Sequence, residues 1–164
     1  MTDSALPLGV SEGRDAFVAA VRGLLLGLPE RGPRELWMVD AEFEAWPLDD
    51  PPVLDALALW LRPAGRRLHI VASDFKAVAL RHPRFSTWRR PWAHALDAWQ
   101  PLAEEQVQLP TLLLAGDAAL ELLDASRWRA RVASARPALR ALHENVATLL
   151  HRCQSAWPVT TLGL

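Results

Sequence analysis

The stretch ELWMVDAEFEAWPLDDPPVLDALALWLRPAGRRLHIVAS, residues 35–73, decides the fold. It opens with a short apolar run, ELWMVD (35–40), suited to a buried strand. Helix punctuation follows. Asp50 can cap, Pro51 suits a first turn, and Pro63 with Gly65 ends the segment. RRLHIVAS (66–73) then reads as a second strand. Strands alternating with helices indicate an α/β sheet with helices packed on it.

The alternation continues in both directions. Upstream, Phe17, Val21, Leu24, Leu25 and Leu28 recur at helical spacing, so residues 12–28 read as an amphipathic helix with Ser11 as N-cap. PERGPR (29–34) is a linker. Downstream, SDFKAVALRH (73–82) is a short helix capped by Ser73 and stopped by Pro83, and EEQVQLP (104–110) is a third strand. TLLLAGDAALELLD (111–124) reads as a hairpin turning at Ala115-Gly116-Asp117, although its Leu120–Asp124 arm can instead be helical. RPALRALHENVATLLHRCQSAW (136–157) is a long helix with Leu139, Leu142, Val146, Leu149 and Leu150 on one face. No repeat or low-complexity tract interrupts the chain. The expected architecture is a single α/β domain, a sheet flanked by helices, with a helix and linker over 1–33 and the core over 34–157.

RHPRFSTWRRPWAHALDAW (81–99) packs four arginines, two histidines and three tryptophans together. On a helix over 88–99 with Thr87 as N-cap, Trp88, Trp92, Ala95 and Trp99 share one stripe, opposite Arg90, His94 and Asp97. That pattern assigns the tryptophans to the core, since a base-stacking platform needs exposed aromatics beside basic groups. The arginines are separate. Arg81, His82 and Arg84 flank Pro83, and Arg89 with Arg90 follows. Helix-start N–H groups with guanidinium groups nearby form a candidate anion site. The duller alternative pairs these arginines with the acidic residues of 35–55.

Composition sets limits. At 164 residues and 51% hydrophobic content, one domain can bury a sizeable core. A formal charge of −1 argues against bulk polyanion binding, so nucleic acid is not expected as a partner. Only Lys76 among the 18 basic residues is lysine, a bias that fits a GC-rich genome. Charge comes in blocks: 35–55 and 97–124 hold acids without a base, while 62–90 and 127–152 are dominated by arginine. The single cysteine, Cys153, excludes an internal disulfide and fits a reducing cytoplasm. MTDSALPLGV lacks a basic n-region, so no signal peptide is expected, and no apolar run reaches membrane-spanning length.

Few residues carry recognisable chemistry. DAEFE (40–44) puts Asp40, Glu42 and Glu44 on one side of a continued strand, a candidate hard-cation or acidic site, or simply a turn into Trp46-Pro47. His143, His151 and Cys153 do not share one helix face, so no zinc site is expected. The absence of GxSxG, GxxxxGKS/T and GxGxxG removes the commonest hydrolase and nucleotide signatures, and no cofactor is expected.

ELWMVD, VLDALALWLRPAGRRLHIVAS and LPTLLLAGDAALELLD, in that order, resemble one half of the phospholipase D-like superfamily: a first strand, a helix and basic-led second strand, then the hairpin that normally carries H-x-K-x4-D. A bacterial family sometimes attached to acetyltransferase domains is similar too. The signature's histidine, lysine and aspartate positions fall on Leu109, Thr111 and Gly116, none of which can serve as nucleophile, phosphate clamp or acid partner. The resemblance therefore implies the fold and a pairing of halves about a two-fold axis, without the family's phosphoryl-transfer chemistry.

The function expected from these features is non-catalytic: a cytoplasmic α/β domain binding a protein partner or a small anionic ligand. The alternative is a phosphoester-acting enzyme using Asp40 and Glu42 with His82 and the neighbouring arginines. A homodimer built on part of the hairpin 111–124 or the helix 136–157 is also expected.

Overall fold

Burial on both faces dictates the centre of the molecule. In the computed structural model, which describes residues 8–159, strand β2 (Glu35–Val39) and strand β3 (Arg67–Val71) pair in parallel, with Trp37 opposite His69 and Val39 opposite Val71. Helix α3 (Pro51–Leu61) connects them. Leu36, Met38, Leu68 and Ile70 point to one side and pack with Val53, Leu57 and Trp60 of α3. Trp37, Val39 and Val71 point to the other. A strand covered on both faces must be apolar throughout, which is why these two were legible as continuous runs.

The sheet has eight strands in the order β1-β7-β6-β5-β2-β3-β4-β8. The remaining strands are β1 (Gly9–Ser11), β4 (Leu96–Pro101), β5 (Leu112–Ala115), β6 (Ala118–Asp124), β7 (Arg129–Ala133) and β8 (Cys153–Ser155). Only the β2–β3 and β3–β4 pairings are parallel; the others are antiparallel. On one face lie α1 (Arg14–Leu26), α2 (Leu28–Arg31), α3, α4 (Phe75–Arg81) and α5 (Pro83–Trp88), around Phe17, Val21, Leu24, Trp60 and Phe85. Both crossovers, β2 to β3 and β3 to β4, step the same way along the sheet, so a common handedness puts their helices on this face. On the other face α6 (Arg136–Leu150) packs Leu139, Leu142 and Val146 over Leu112, Leu114 and Ala119. This is the single α/β domain, a sheet flanked by helices, that the sequence indicates.

Several local assignments change. The expected helix over 88–99 is broken into α5, a 3-10 turn over Arg90–Ala95, and β4. Tryptophans four and seven apart satisfy a helical period, but β3 offers an open edge, and pairing with it satisfies the backbone of Leu96–Trp99. The true third parallel strand is therefore β4. Residues 104–110, expected as a strand, instead contain a 3-10 turn ending at Gln106 in the left-handed region. The long terminal helix stops at Leu150, and β8 follows it along the edge of β4. Ser11 belongs to β1 and caps nothing. Asp74, rather than Ser73, caps α4 by accepting from the N–H groups of Lys76 and Ala77. The segment 12–33 is no appendage, since α1 and α2 bury Phe17, Leu25 and Leu28 in the main core.

The hairpin β5–β6 turns at Gly116 as expected, with φ of 67° and Pro33 pressed against it. Its apolar side chains, expected to seek a second copy, are buried inside one chain, as Leu113, Leu114 and Leu120 show. The exposed face of α6 is polar, carrying Arg140, Glu144 and Asn145. Residues 1–7, on which the leader reading rests, lie outside the described residues. No described helix is long and apolar enough to cross a membrane.

Gly116 tests the hairpin. A Cβ there would lie 2.8 Å from Pro33 Cβ on a backbone that side chains rarely adopt. Gly116→Ala should lower stability in urea denaturation by about 1–3 kcal/mol. An unchanged midpoint would show that the turn relaxes freely.

Candidate anion-binding cleft

The breaking of 88–99 into turn and strand places Trp92 and His94 beside the loop that joins α3 to β3. Together these segments enclose a cleft of about 490 Å³ lined by Arg62, Arg66, Arg67, Trp92 and His94, with no carboxylate in its lining. The loop residues Arg62–Gly65 are exposed, because helix α3 ends at Leu61 and the chain must reverse into β3.

Each basic residue has a different degree of freedom. Arg66 is anchored, donating from Nη1 to the Trp60 carbonyl at 2.7 Å. Arg67 grips Asp97 through two bonds of 2.9 Å, from Nε and Nη2, which raises its own pKa and holds the Asp97 carboxyl below its ordinary value. Arg62 makes no side-chain hydrogen bond or ion pair among the described residues. His94 is exposed, and its ring lies 6.1 Å from that of Trp92. Trp92 itself is half-buried: one part packs against the main core, the rest faces the cleft.

Trp92 ends an aromatic series. Phe75 stacks on Trp157 at 5.0 Å, Trp157 meets Phe85 at 6.1 Å, Phe85 stacks on Trp88 at 5.7 Å, and Trp88 on Trp92 at 6.1 Å. The cleft therefore has a rigid aromatic wall rooted in the core. Trp88, Trp92 and Trp99 were all expected to be buried. All three are half-buried, and Trp99 packs against the α6 side of the sheet rather than with the other two.

The anion site expected around Pro83 is not assembled. Arg81 is bound to Glu42 at 2.8 Å. The buried His82 donates from Nε2 to the Phe43 carbonyl at 2.8 Å. The N–H of Phe85, in the first turn of α5, donates to Asp49 Oδ1 at 3.0 Å, so a carboxylate of the chain itself occupies that position. Arg84 and Arg90 point to solvent, while Arg89 is buried away from them. The acidic trio separates as well. Asp40 accepts from Thr111 Oγ1 and the Ala41 N–H, each at 2.8 Å. Burial pushes its pKa up, and the Thr111 bond opposes that. Glu42 pairs with Arg81, and Glu44 lies 3.8 Å from Arg14. Leu109 is buried in the α6-side core and Gly116 sits in the hairpin turn, so neither meets Thr111 in a site.

One polar group escaped sequence reasoning. His69 is buried and stacks on Trp37 with ring centres 3.9 Å apart. Its ring nitrogens face Glu35 at 3.6 Å and Asp97 at 3.4 Å, without a hydrogen bond among the described residues. Glu35, His69 and Asp97 lie on one face of three adjacent strands, and the alternation in RRLHIV is the signal that could have revealed it. An apolar groove of about 260 Å³ also runs between α6 and β5, and its one arginine, Arg152, is bound to Glu105.

The fold and cleft define an α/β domain with a basic, aromatic-walled recess. The sequence matches no family model and no curated protein. The fold is similar to the solved structure of TrmBL2, an archaeal chromatin protein described as showing a novel mode of DNA binding, with a TM-score of 0.68 and 13% identity. The likeness covers 95% of this chain and 56% of that one, so the chain spans little more than half its length. This corrects two expectations. The fold likeness found is to a chromatin protein rather than to a phospholipase D-like or bacterial family; the order of strand, helix, strand and hairpin is common to many α/β sheets, and no matching reactive residue supported that resemblance. The exclusion of nucleic acid as a partner is withdrawn, because the fold likeness found is to a protein described as binding DNA.

His69 gives the folding stability a pH dependence. Burial lowers its pKa from 6.5, against the pull of Glu35 and Asp97. The unfolded chain then binds a proton that folded His69 resists, so its contribution is intact above 6.5 and is lost as pH falls from there toward the lower native value. Thermal unfolding between about pH 7.5 and about pH 5.5 should show this loss, and His69→Gln should remove part of it. Identical slopes in the two proteins would show that other groups cause it. The Arg67-held Asp97 contributes separately, losing its effect only below 3.8.

Proposed function

We propose that this chain is a non-catalytic binding module whose ligand presents phosphate oxygens beside an aromatic base: a nucleotide, free or within a nucleic-acid strand. The observation that carries the reading is the carboxylate-free cleft, where three arginines and His94 surround the half-buried face of Trp92. Guanidinium groups match phosphate geometry, and an aromatic face accepts any base by stacking. Arg62 is free to move to the ligand, while Arg66 and Arg67 are held in place. The DNA binding described for TrmBL2 supports the strand over the free nucleotide. The half-buried, free thiol of Cys153 accords with the cytoplasm as the compartment.

Fluorescence anisotropy with labelled oligothymidylate at low salt, competed by ATP or by duplex DNA, tests this. Trp92→Ala should weaken binding by about 5- to 100-fold, the loss of one stacked base, whereas Trp92→Phe retains most of it. Arg62→Glu should weaken binding and flatten its salt dependence. Competition by ATP as strong as by unlabelled oligonucleotide identifies a nucleotide ligand; competition by oligonucleotide alone identifies a strand. Binding of neither, or binding indifferent to both substitutions, overturns the reading.

A further inference from the structure

The basic cleft and the buried His69 are joined by one residue. Arg67 lines the cleft, where its Nη1 donates to the His94 carbonyl at 3.3 Å, while Nε and Nη2 grip Asp97. The Asp97 oxygen that accepts from Nε, Oδ2, also lies 3.4 Å from His69 Nδ1. We propose that anion binding in the cleft is coupled to uptake of a proton by His69, with the Arg67–Asp97 pair as the link. Such coupling presupposes the nucleotide reading of the cleft and gives that site a pH control.

The surroundings of His69 are set for a proton and nothing larger. His69 is 7% exposed, and Trp37 stacks on its ring at 3.9 Å with 11° between the planes, which fixes the plane of the imidazole. Neither ring nitrogen has a hydrogen bond among the described residues. One faces Asp97 and the other faces Glu35 Oε1 at 3.6 Å. A neutral imidazole carries one N–H and serves only one of these carboxylates, whereas the imidazolium donates to both. Protonation therefore gives each buried nitrogen an acceptor, which offsets part of the cost of burying the charge.

Arg67 opposes that proton. The charged groups around His69 are Glu35 on β2, Arg67 on its own strand and Asp97 on β4; Arg34 and, from α6, His143 share an open recess with Glu35. In the free protein the Arg67 guanidinium repels a charge on His69 and neutralises Asp97. The Arg67 side chain is 42% exposed, so a phosphate in the cleft reaches it while Asp97 keeps its hold. The phosphate offsets the guanidinium charge, Asp97 is left less compensated, and its pull on His69 Nδ1 grows. The proton comes from solvent and returns there when the ligand leaves. Binding and protonation then favour each other to the same extent.

Labelled oligothymidylate is the probe, because each of its phosphodiesters keeps one charge across the range used. His94 is a second ionisable group in the cleft, so the readout is the imidazole resonances of His69 itself. These are followed from about pH 8 to about pH 4, without and with saturating oligonucleotide. Their midpoint should move upward on binding, and affinity should rise by about threefold or more between about pH 7.5 and about pH 5.5. His69→Gln should bind as the parent does at the upper pH and lose that part of the rise. Asp97→Asn should remove most of the movement of the His69 midpoint; because Asp97 also joins β3 to β4, His69→Gln decides the matter where that variant does not fold. Binding that leaves the His69 midpoint in place, a movement as large in Asp97→Asn as in the parent, or the same pH dependence of affinity in His69→Gln overturns the coupling and leaves the cleft reading standing. Absence of binding at every pH overturns both.

Discussion

A strand buried on both faces has no tolerance for polar side chains, and this constraint organises the whole molecule. β2 and β3 obey it from Leu36 to Val39 and from Leu68 to Val71, with one interruption at His69. The charged residues of these strands, Glu35 and Arg67, are confined to their N-terminal ends. There they meet Asp97, which enters from the start of β4, and the bidentate Arg67–Asp97 pair ties the third parallel strand to the second. The same pair holds Arg67 at the floor of the basic cleft. Polar chemistry collects at this end of the sheet because it is excluded from the middle.

The helical side supplies the second element. Phe75, Trp157, Phe85, Trp88 and Trp92 form a connected run of rings from the core to the surface. Of its half-buried rings, Trp88, Trp92 and Trp157, Trp92 lines the basic cleft beside Arg62 and Trp157 lies under the Arg89 guanidinium. Rings packed at several points lose little freedom on ligand binding, so a wall rooted in the core binds at lower entropic cost than one on a mobile loop. The Arg90–Ala95 turn carries Trp92 and His94 to the cleft. Pro91 near its start and the switch to extended backbone at Leu96 fix where the turn sits.

How far the sequence could be read follows the same physics. The strands at 35–39 and 67–71, helix 51–61 and the hairpin were legible because each is buried enough to need an unmixed apolar pattern. β1, β7 and β8 were missed: β1 and β8 have three residues each, and β7 alternates Ala and Val with Arg, too weak a signal to stand out. The tryptophan stripe misled because spacings of four and seven fit a helix, while β4 exists only because β3 has an open edge. The cleft was invisible for that reason. Trp92 and Arg62 are brought together by the crossover rather than by sequence proximity. Arg89 was named with the arginines of the expected anion site, and its setting, buried against Trp157, could not be foreseen from a run of exposed-looking arginines.

Net charge is a poor guide to the local surface because charge acts locally. Interactions between exposed groups fade over about 8–10 Å at physiological salt, so a domain of charge −1 presents separate acidic and basic regions rather than an average. The internal pairings remove much of the acidic excess from view: Glu42 with Arg81, Asp50 with Arg22, Asp97 with Arg67, Glu105 with Arg152 and Glu121 with Arg131. Most join groups far apart in sequence, so the acidic and basic blocks neutralise one another largely through the fold. What remains unpaired sets the local field. At the recess between the α3–β3 loop and the Arg90–Ala95 turn the remainder is positive, because Arg62 has no partner among the described residues and Asp97 is already committed to Arg67.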